Sequence, residues 1–413
     1  MTDQGNSVAE RLITIARLGH QGDGIADGPV FAPRTLPGEV IEGDISGDRI
    51  DAPRIVTPSP DRIKPPCAHY KSCGGCALLH AREGFVSDWK QGVIAQALAA
   101  QGLDAAFLPA HTSALAARRR ATFAGRRLKK GALVGFHARA SDVVTDVPGC
   151  LILHPDLVGA LPLLRELTAE FGSRKGELAL ALTRSDTGLD LHVTGGKDAD
   201  GVMRAELGAW AGRAGLARLT WGDEVVALSR PPLHRLGRAQ VCPPPGAFLQ
   251  ATEAAQGALQ AAVAQAVGGA ARVADLFAGC GTFALPLAER AQVHAVEGSA
   301  PMLAALDAGW RGATGLKRVT TEARDLFRRP LLPDELAAFD AVVIDPPRAG
   351  AEAQMQALAA SKVATVAAVS CNPVTFARDA RILTQAGFRL NWVQMVDQFR
   401  FSPHVELAAS FTR

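Results

Sequence analysis

The rhythm of hydrophobic and polar positions changes twice along this chain. Up to residue 60 the apolar runs are short and alternating, as in Leu12-Ile-Thr-Ile-Ala, Val30-Phe-Ala and Glu39-Val-Ile-Glu-Gly-Asp-Ile, and Gly, Pro and Asp interrupt them. Strands this short with turns this frequent predict a small β-barrel over 1–60. Residues 58–66, Pro-Ser-Pro-Asp-Arg-Ile-Lys-Pro-Pro, read as a linker, followed by a cysteine-rich stretch and a helix over about 84–101. Residues 110–240 mix strand and helix patterns, giving a middle domain over 61–244. From 245 to 413 buried-looking strands alternate with helices: Arg272-Val-Ala-Asp-Leu-Phe, Gln292–Glu297, Ala341–Asp345 and Thr365–Ser370. That alternation predicts an α/β unit with a doubly wound, Rossmann-like parallel sheet.

Composition narrows the class without naming a function. Hydrophobic residues make up 48% of the 413, enough for two or three cores. The formal charge of +3 is too small to argue for nucleic acid by itself. Charged residues interrupt every apolar run before membrane length, and the N-terminus has neither a basic region nor an apolar core of a signal peptide. A cytoplasmic protein with no membrane association is the expectation. Seven cysteines there point to metal binding or catalysis rather than to disulfides.

Two strand ends carry the chemistry. Ala341-Val-Val-Ile-Asp345-Pro-Pro-Arg348 and Ala367-Ala-Val-Ser-Cys371-Asn-Pro373 both close an apolar run with a proline. In open α/β sheets ligands bind at the carboxyl ends of the strands, so Asp345 and Cys371 are expected along one edge of one sheet. Asp275-Leu-Phe-Ala-Gly279-Cys-Gly281-Thr282 ends an earlier strand and opens a helix, and Glu297 ends the next strand. Glycines there let the backbone approach a ligand, and an acid at the second strand can bind ribose hydroxyls. NAD and S-adenosylmethionine both suit that turn. A nucleophilic thiol favours the second, because a thiolate added to uracil C6 makes C5 able to accept a methyl group. Glu406, in Phe399-Arg-Phe-Ser-Pro-His404-Val-Glu406, is the candidate base that removes the C5 proton.

With these residues in place the chain resembles the RNA uracil-C5 methyltransferases, and among them the bacterial 23S ribosomal RNA enzymes with an iron–sulfur cluster. The resemblance spans nearly the whole chain and rests on Phe248-Leu-Gln250, the Asp275 turn, Ala295-Val-Glu297, Asp345-Pro-Pro-Arg, Ser370-Cys-Asn-Pro and His404-Val-Glu406. It implies S-adenosylmethionine contacts at Gln250, Phe277, Thr282, Glu297, Asp325 and Asp345, with Cys371 as nucleophile and Glu406 as base. It also implies an N-terminal TRAM module of the OB type, 23S rRNA as partner and a monomer. Thr282 replaces the more usual Asn, Ser402 stands where Thr is frequent, and Arg400 where Pro is usual. A tRNA uracil-C5 methyltransferase is the nearest rival, expected to lack both the barrel and the cysteine cluster. An exocyclic-amine methyltransferase, an NAD oxidoreductase and a non-enzymatic iron–sulfur RNA-binding protein stand further off.

Cys67, Cys73 and Cys76 form a C-x5-C-x2-C pattern, and Cys150 follows in Val147-Pro-Gly-Cys. Four thiolates suit an iron–sulfur cluster or an all-cysteine zinc site, and spacing alone does not choose. The family resemblance implies a 4Fe–4S cluster of structural role. Cys242 and Cys280 remain as structural residues. Arg118-Arg-Arg-Ala-Thr-Phe-Ala-Gly-Arg-Arg-Leu-Lys-Lys130 holds seven basic residues around Phe123 and predicts a phosphate-contacting surface. The barrel itself has five Arg against nine Asp and Glu, a net charge of −4, which sits badly with an RNA-binding role unless its basic groups cluster.

Overall fold

The computed structural model describes residues 12–413. Three sheets account for most of the chain. The first has five antiparallel strands in the order Val30–Ala32, Gly24–Ala26, Ile13–Leu18, Val40–Glu42, Arg54–Thr57. Its outer strand also bonds the 48–50 segment, with Phe31 N donating to Asp48 O at 2.8 Å and Ile50 N to Phe31 O at 2.9 Å. The sheet thus curls over a small core of Ile15, Ala26, Ala32, Ile41 and Ile50. The N-terminal part of the expected barrel segment, residues 1–11, lies outside the described residues.

Residues 58–66 are not a free linker. Glu39 is fully buried and accepts from the backbone N–H of Leu36 at 2.8 Å and of Ser59 at 3.1 Å, and Arg62 closes the pair. A buried carboxylate needs such partners, and this segment supplies them.

The middle sheet has seven strands, running from Glu224–Leu228 at one edge through Glu177–Ser185 and Arg120–Arg127 to Val144–Asp146. Helices Leu161–Phe171 and Gly201–Arg213 contribute Leu164, Leu167, Leu207 and Trp210 to its core. Asp200 caps the second helix, its side chain accepting from Met203 N at 2.9 Å.

The C-terminal sheet has eight strands. Val319–Ala323, Gln292–Glu297, Arg272–Leu276, Ala341–Ile344 and Thr365–Ser370 run parallel in that order, as the alternation predicted. Leu407–Thr412 then joins antiparallel, followed by Arg389–Asp397 and Phe107–Thr112. This last strand crosses the expected boundary at 244/245. The helix Glu83–Ala99 goes with it, burying Ile94 and Leu98 in the same core as Val342, Val366 and Phe411. A free sheet edge is completed by whichever chain segment supplies backbone partners, and here that segment precedes the middle sheet. Lys90 on that helix is fully buried and bonds Asp397 at 2.7 Å and Phe399 O at 3.1 Å.

Candidate active site

The parallel strands deliver their C-terminal residues to one edge. Asp345 follows Ala341–Ile344 directly, and Cys371 follows Thr365–Ser370. Between the second of these and Leu407–Thr412 the antiparallel register pairs Ser370 with Leu407. One step further along the ladder, Cys371 stands opposite Glu406. Two residues far apart in sequence therefore share an end of the sheet because the last strand turns back.

Burial raises all three side chains. The Cys371 thiol is pushed up to about 11 by burial first and then by the charges of Glu406 and Asp345, with Arg348 opposing. Glu406 is 3% exposed and is pushed up to about 8, by burial and then by Asp345. Asp345 rises to about 7 through loss of solvent. Behind them Asp275 is fully buried, none of its carboxyl oxygens has a side-chain hydrogen-bond partner, and burial holds it well above the usual carboxylate range. Such a row of carboxyls favours a cationic occupant, which would lower all of them together.

Loops hold the strand ends in place. Asn372 caps the helix Pro373–Gln385, accepting from Val374 N at 3.1 Å, and its Nδ2 donates to Arg348 O at 2.8 Å. The Asp-Pro-Pro-Arg and Ser-Cys-Asn-Pro segments are thereby tied to each other. Gln398, which nothing in the sequence pattern singled out, links Glu406 to Gln250. Its Nε2 donates to the Glu406 carboxylate and, at 2.5 Å, to Gln250 Oε1, while its Oε1 accepts from Ala251 N at 2.6 Å.

The glycine turn forms the adjoining pocket. Phe277, Gly279 and Gly281 all have positive φ, and a Cβ at Gly281 would lie 2.8 Å from Leu306. Glu297 is pinned by backbone donors, Gly279 N at 3.1 Å and Ser299 N at 2.9 Å, and each oxygen keeps lone pairs for a ligand. Asp325 accepts from Phe327 N at 3.0 Å. The Phe277 and Phe327 rings lie 5.4 Å apart, with Phe327 half exposed beside the opening. Thr282 lines the same pocket, and its carbonyl receives Gln260 Nε2 at 2.9 Å.

One cavity of about 1510 Å³ takes in all twelve residues expected from the sequence: Gln250, Phe277, Thr282, Glu297, Asp325, Asp345, Cys371, Glu406, Cys67, Cys73, Cys76 and Cys150. The four cysteines occupy a wall between two cores, Cys73 and Cys150 packing on the middle sheet and Cys67 and Cys76 on Tyr70 and Phe401. Burial and the neighbouring thiols push Cys76 up to about 12. Gly75 N faces Cys73 Sγ at 3.4 Å, and Gly74 has no room for a side chain, since a Cβ would meet His137 O at 2.7 Å. Among the described residues no three His, Cys, Asp or Glu side chains converge on a single metal ion. Cys67, Cys73 and Cys150 all act on the Cys76 thiol, so the four sulfurs are neighbours on this wall.

The tRNA (Uracil-5-)-methyltransferase family profile matches residues 245–413. An RNA methyltransferase of Caulobacter vibrioides is 48% identical over 97% of this chain and 99% of its own length. The 23S rRNA (uracil(1939)-C(5))-methyltransferase of Halomonas elongata is 35% identical over 97% of this chain and 89% of its own. The chain belongs to the RNA uracil-C5 methyltransferases. A solved tRNA (uracil-54, C5)-methyltransferase of Pyrococcus abyssi, in complex with S-adenosyl-L-homocysteine, shares the fold over 97% of this chain and 99% of its own, with TM-score 0.77 at 21% identity. That coverage includes the N-terminal sheet, so the sheet does not separate rRNA from tRNA enzymes as the sequence had suggested. Methylation of RNA uracil C5 from S-adenosylmethionine follows from the family.

The basic run of this methyltransferase is an open surface only in part. Arg119 is buried and bonds Gln250 O at 3.2 Å and Gln256 Oε1 at 2.8 Å. Arg120 bonds Leu249 O at 2.7 Å and lies over the Phe248 ring, while Arg118 lies over Phe399. Arg126 pairs with Glu177 at 2.6 Å, Arg127 reaches the carbonyl of Gly172, and Phe123 is core. Five arginines thus join segments of the protein, and Lys129 and Lys130 stand exposed on the turn. Burial falls off along the run: Arg119 is buried, Arg118, Arg120 and Arg126 are half-buried, and Arg127 is exposed.

Proposed function

We propose that this methyltransferase modifies a uridine of 23S rRNA through a covalent adduct between Cys371 and uracil C6. The observation that supports the mechanism is that Cys371 and Glu406, just beyond the paired Ser370 and Leu407, both line the cavity and that the Glu406 charge acts on the Cys371 thiol. Cys371 loses its proton to solvent and its thiolate adds to C6, leaving an enolate over C5 and O4. S-adenosylmethionine, held against Phe277, Glu297, Asp325 and Asp345, supplies the methyl group to C5. Glu406 as carboxylate then takes the C5 proton, the enolate re-forms, and the C6–S bond breaks to release Cys371. The thiol must reach C6 directly, so the uridine enters unpaired or flipped out.

The 23S assignment is supported by the Halomonas relative, which aligns with nearly all of this chain. A tRNA substrate is the second reading, favoured by the whole-chain likeness to the Pyrococcus enzyme. His20, Gln21 and Arg34, on turns of the N-terminal sheet, line the cavity, which supports an RNA-contacting, TRAM-like role for that sheet despite its net negative charge. Cys67, Cys73, Cys76 and Cys150 hold a 4Fe–4S cluster in this reading, joining the 67–76 loop to the segment at 150. When bound, the cluster supplies structure, since methyl transfer has no redox step. The enzyme acts as a cytoplasmic monomer.

Tritium release from 5-tritiated uridine in unmodified 23S rRNA and tRNA transcripts tests the proposal, with enzyme purified without oxygen. Release from 23S rRNA alone supports it. Release from tRNA alone overturns the ribosomal assignment and keeps the chemistry. Iron and sulfide content of wild type against Cys73→Ala tests the cluster, which metal-free wild-type protein of full activity would remove.

A further inference from the structure

Gln398 sits on the stretch between Asp397, anchored by the buried Lys90 at 2.7 Å, and Glu406. It is 2% exposed, and each polar atom of its amide is engaged. The backbone N–H of Ala251 can only donate, so the amide must turn its Oε1 there. That choice leaves Nε2 to face two acceptors, the Glu406 carboxylate and the Gln250 Oε1. Gln250 is fixed in turn: its Oε1 is occupied, and its own Nε2 makes no hydrogen bond among the described residues while the side chain borders the cavity. A single backbone donor thus decides the orientation of two amides in succession.

We propose that Gln398 is a positioning residue that sets the Glu406 carboxylate for proton removal and turns the Gln250 N–H2 toward O4 of the target uracil. This rests on the uracil-C5 reading of the site. Uracil presents a carbonyl at C4 and cytosine an amine, so a donor locked at that point accepts the first and leaves the second unpaired. Sites built on one such buried hydrogen bond discriminate strongly. At Glu406 the Gln398 N–H opposes the effect of burial and of Asp345 and keeps the carboxylate available. The titratable groups facing Glu406 are Asp345 and Cys371. Arg348 acts on Cys371, and Lys90 is held by Asp397.

Gln398→Met removes both donors and the acceptor at similar volume. With RNA, tritium release at pH 7 is expected to fall roughly tenfold or more, a hydrogen bond to a charged group being lost, and to recover as pH rises, because Glu406 now titrates higher. The preference for forming a covalent adduct with 5-fluorouridine over 5-fluorocytidine RNA is expected to drop by roughly tenfold as well. Without RNA, iodoacetamide alkylation of Cys371 at pH 8–9 is expected to quicken severalfold, since a protonated Glu406 no longer repels the thiolate. A variant that binds S-adenosylmethionine yet keeps the wild-type pH profile, base preference and alkylation rate overturns the proposal. If Gln398→Met fails to fold, Gln398→Glu keeps the acceptor for Ala251 and is expected to shift the pH profile the same way; a profile like wild type then overturns it. Wild-type enzyme with no tritium release would remove the uracil reading, and the alkylation comparison would still decide the link from Gln398 to Glu406.

Discussion

The catalytic end of the cavity and its cysteine wall are made of different kinds of structure. At the catalytic end Asp345, Cys371 and Glu406 follow or precede strands of one sheet, and the hydrogen-bond register sets their spacing. On the wall, Cys67, Cys73, Cys76 and Cys150 come from loops wedged between two cores, with the close approach at Gly74 holding the loop to the strand Ala132–His137. A sheet fixes side chains by backbone geometry and tolerates change around them. Loops depend on what they pack against or bind. The first region should therefore lose chemistry without losing structure when a side chain is changed, and the second should lose both.

The largest effect belongs to the catalytic end. Cys371→Ala is expected to abolish the adduct with 5-fluorouridine RNA and all tritium release, while S-adenosylmethionine binding by titration stays near wild type. A retained adduct would remove Cys371 from the mechanism. Glu406→Gln is expected to keep adduct formation and slow release of product by roughly 10²–10⁴, the usual contribution of a positioned base. Unchanged turnover in that variant would show that another group takes the proton.

Lys90 holds the start of the Phe399–Glu406 loop, which runs from the cysteine wall, where Phe401 packs with Cys67 and Cys76, to Glu406. Lys90→Met leaves Asp397 buried without its partner, and breaking such a pair costs about 3–5 kcal/mol. Chemical denaturation should show that loss. A midpoint within error of wild type would mean that Asp397 is satisfied by Phe399 N alone, at 3.0 Å.

The same contrast explains what the sequence disclosed. The glycine turn, Asp-Pro-Pro-Arg and Ser-Cys-Asn-Pro each carry their local geometry with them, a strand end followed by a turn or cap, so their placement was legible. Gln398 was not, since its importance lies in contacts to residues 148 and 8 positions away and in a backbone N–H. The strand Phe107–Thr112 was missed for a related reason: it completes a sheet whose other strands all lie beyond residue 271. Charge misled in part of the basic run, because composition counts arginines and cannot see that Arg119 and Arg120 bond the carbonyls of Gln250 and Leu249.

Acid–base linkage offers a smaller test of the catalytic end. Glu406 and Asp345 titrate near 8 and 7 in the folded protein against ordinary values of 4.5 and 3.8. Between those limits the native state holds protons that the unfolded chain has released, so stability falls as pH rises. The ligand-free protein should melt at a lower temperature at pH 8 than at pH 5. Glu406→Gln should flatten that slope, since the amide has no proton to lose. A slope unchanged by the substitution would mean that the strain lies at Asp345 and Asp275 instead.

The smallest expected effects separate the buried from the exposed part of the basic run. Arg119→Ala strips a donor from the Gln250 carbonyl and from Gln256, at a cost of about 1–3 kcal/mol in stability, and is expected to leave the salt dependence of RNA binding unchanged. Lys129→Ala touches neither core nor partner, on a turn closed by Leu128 N to Gly131 O at 3.0 Å. It is expected to leave the melting temperature unchanged and to reduce the slope of log affinity against log salt by about 0.7–0.9, the value of one phosphate contact. The reverse outcome, a steeper salt effect from Arg119 than from Lys129, would return the whole run to the RNA surface.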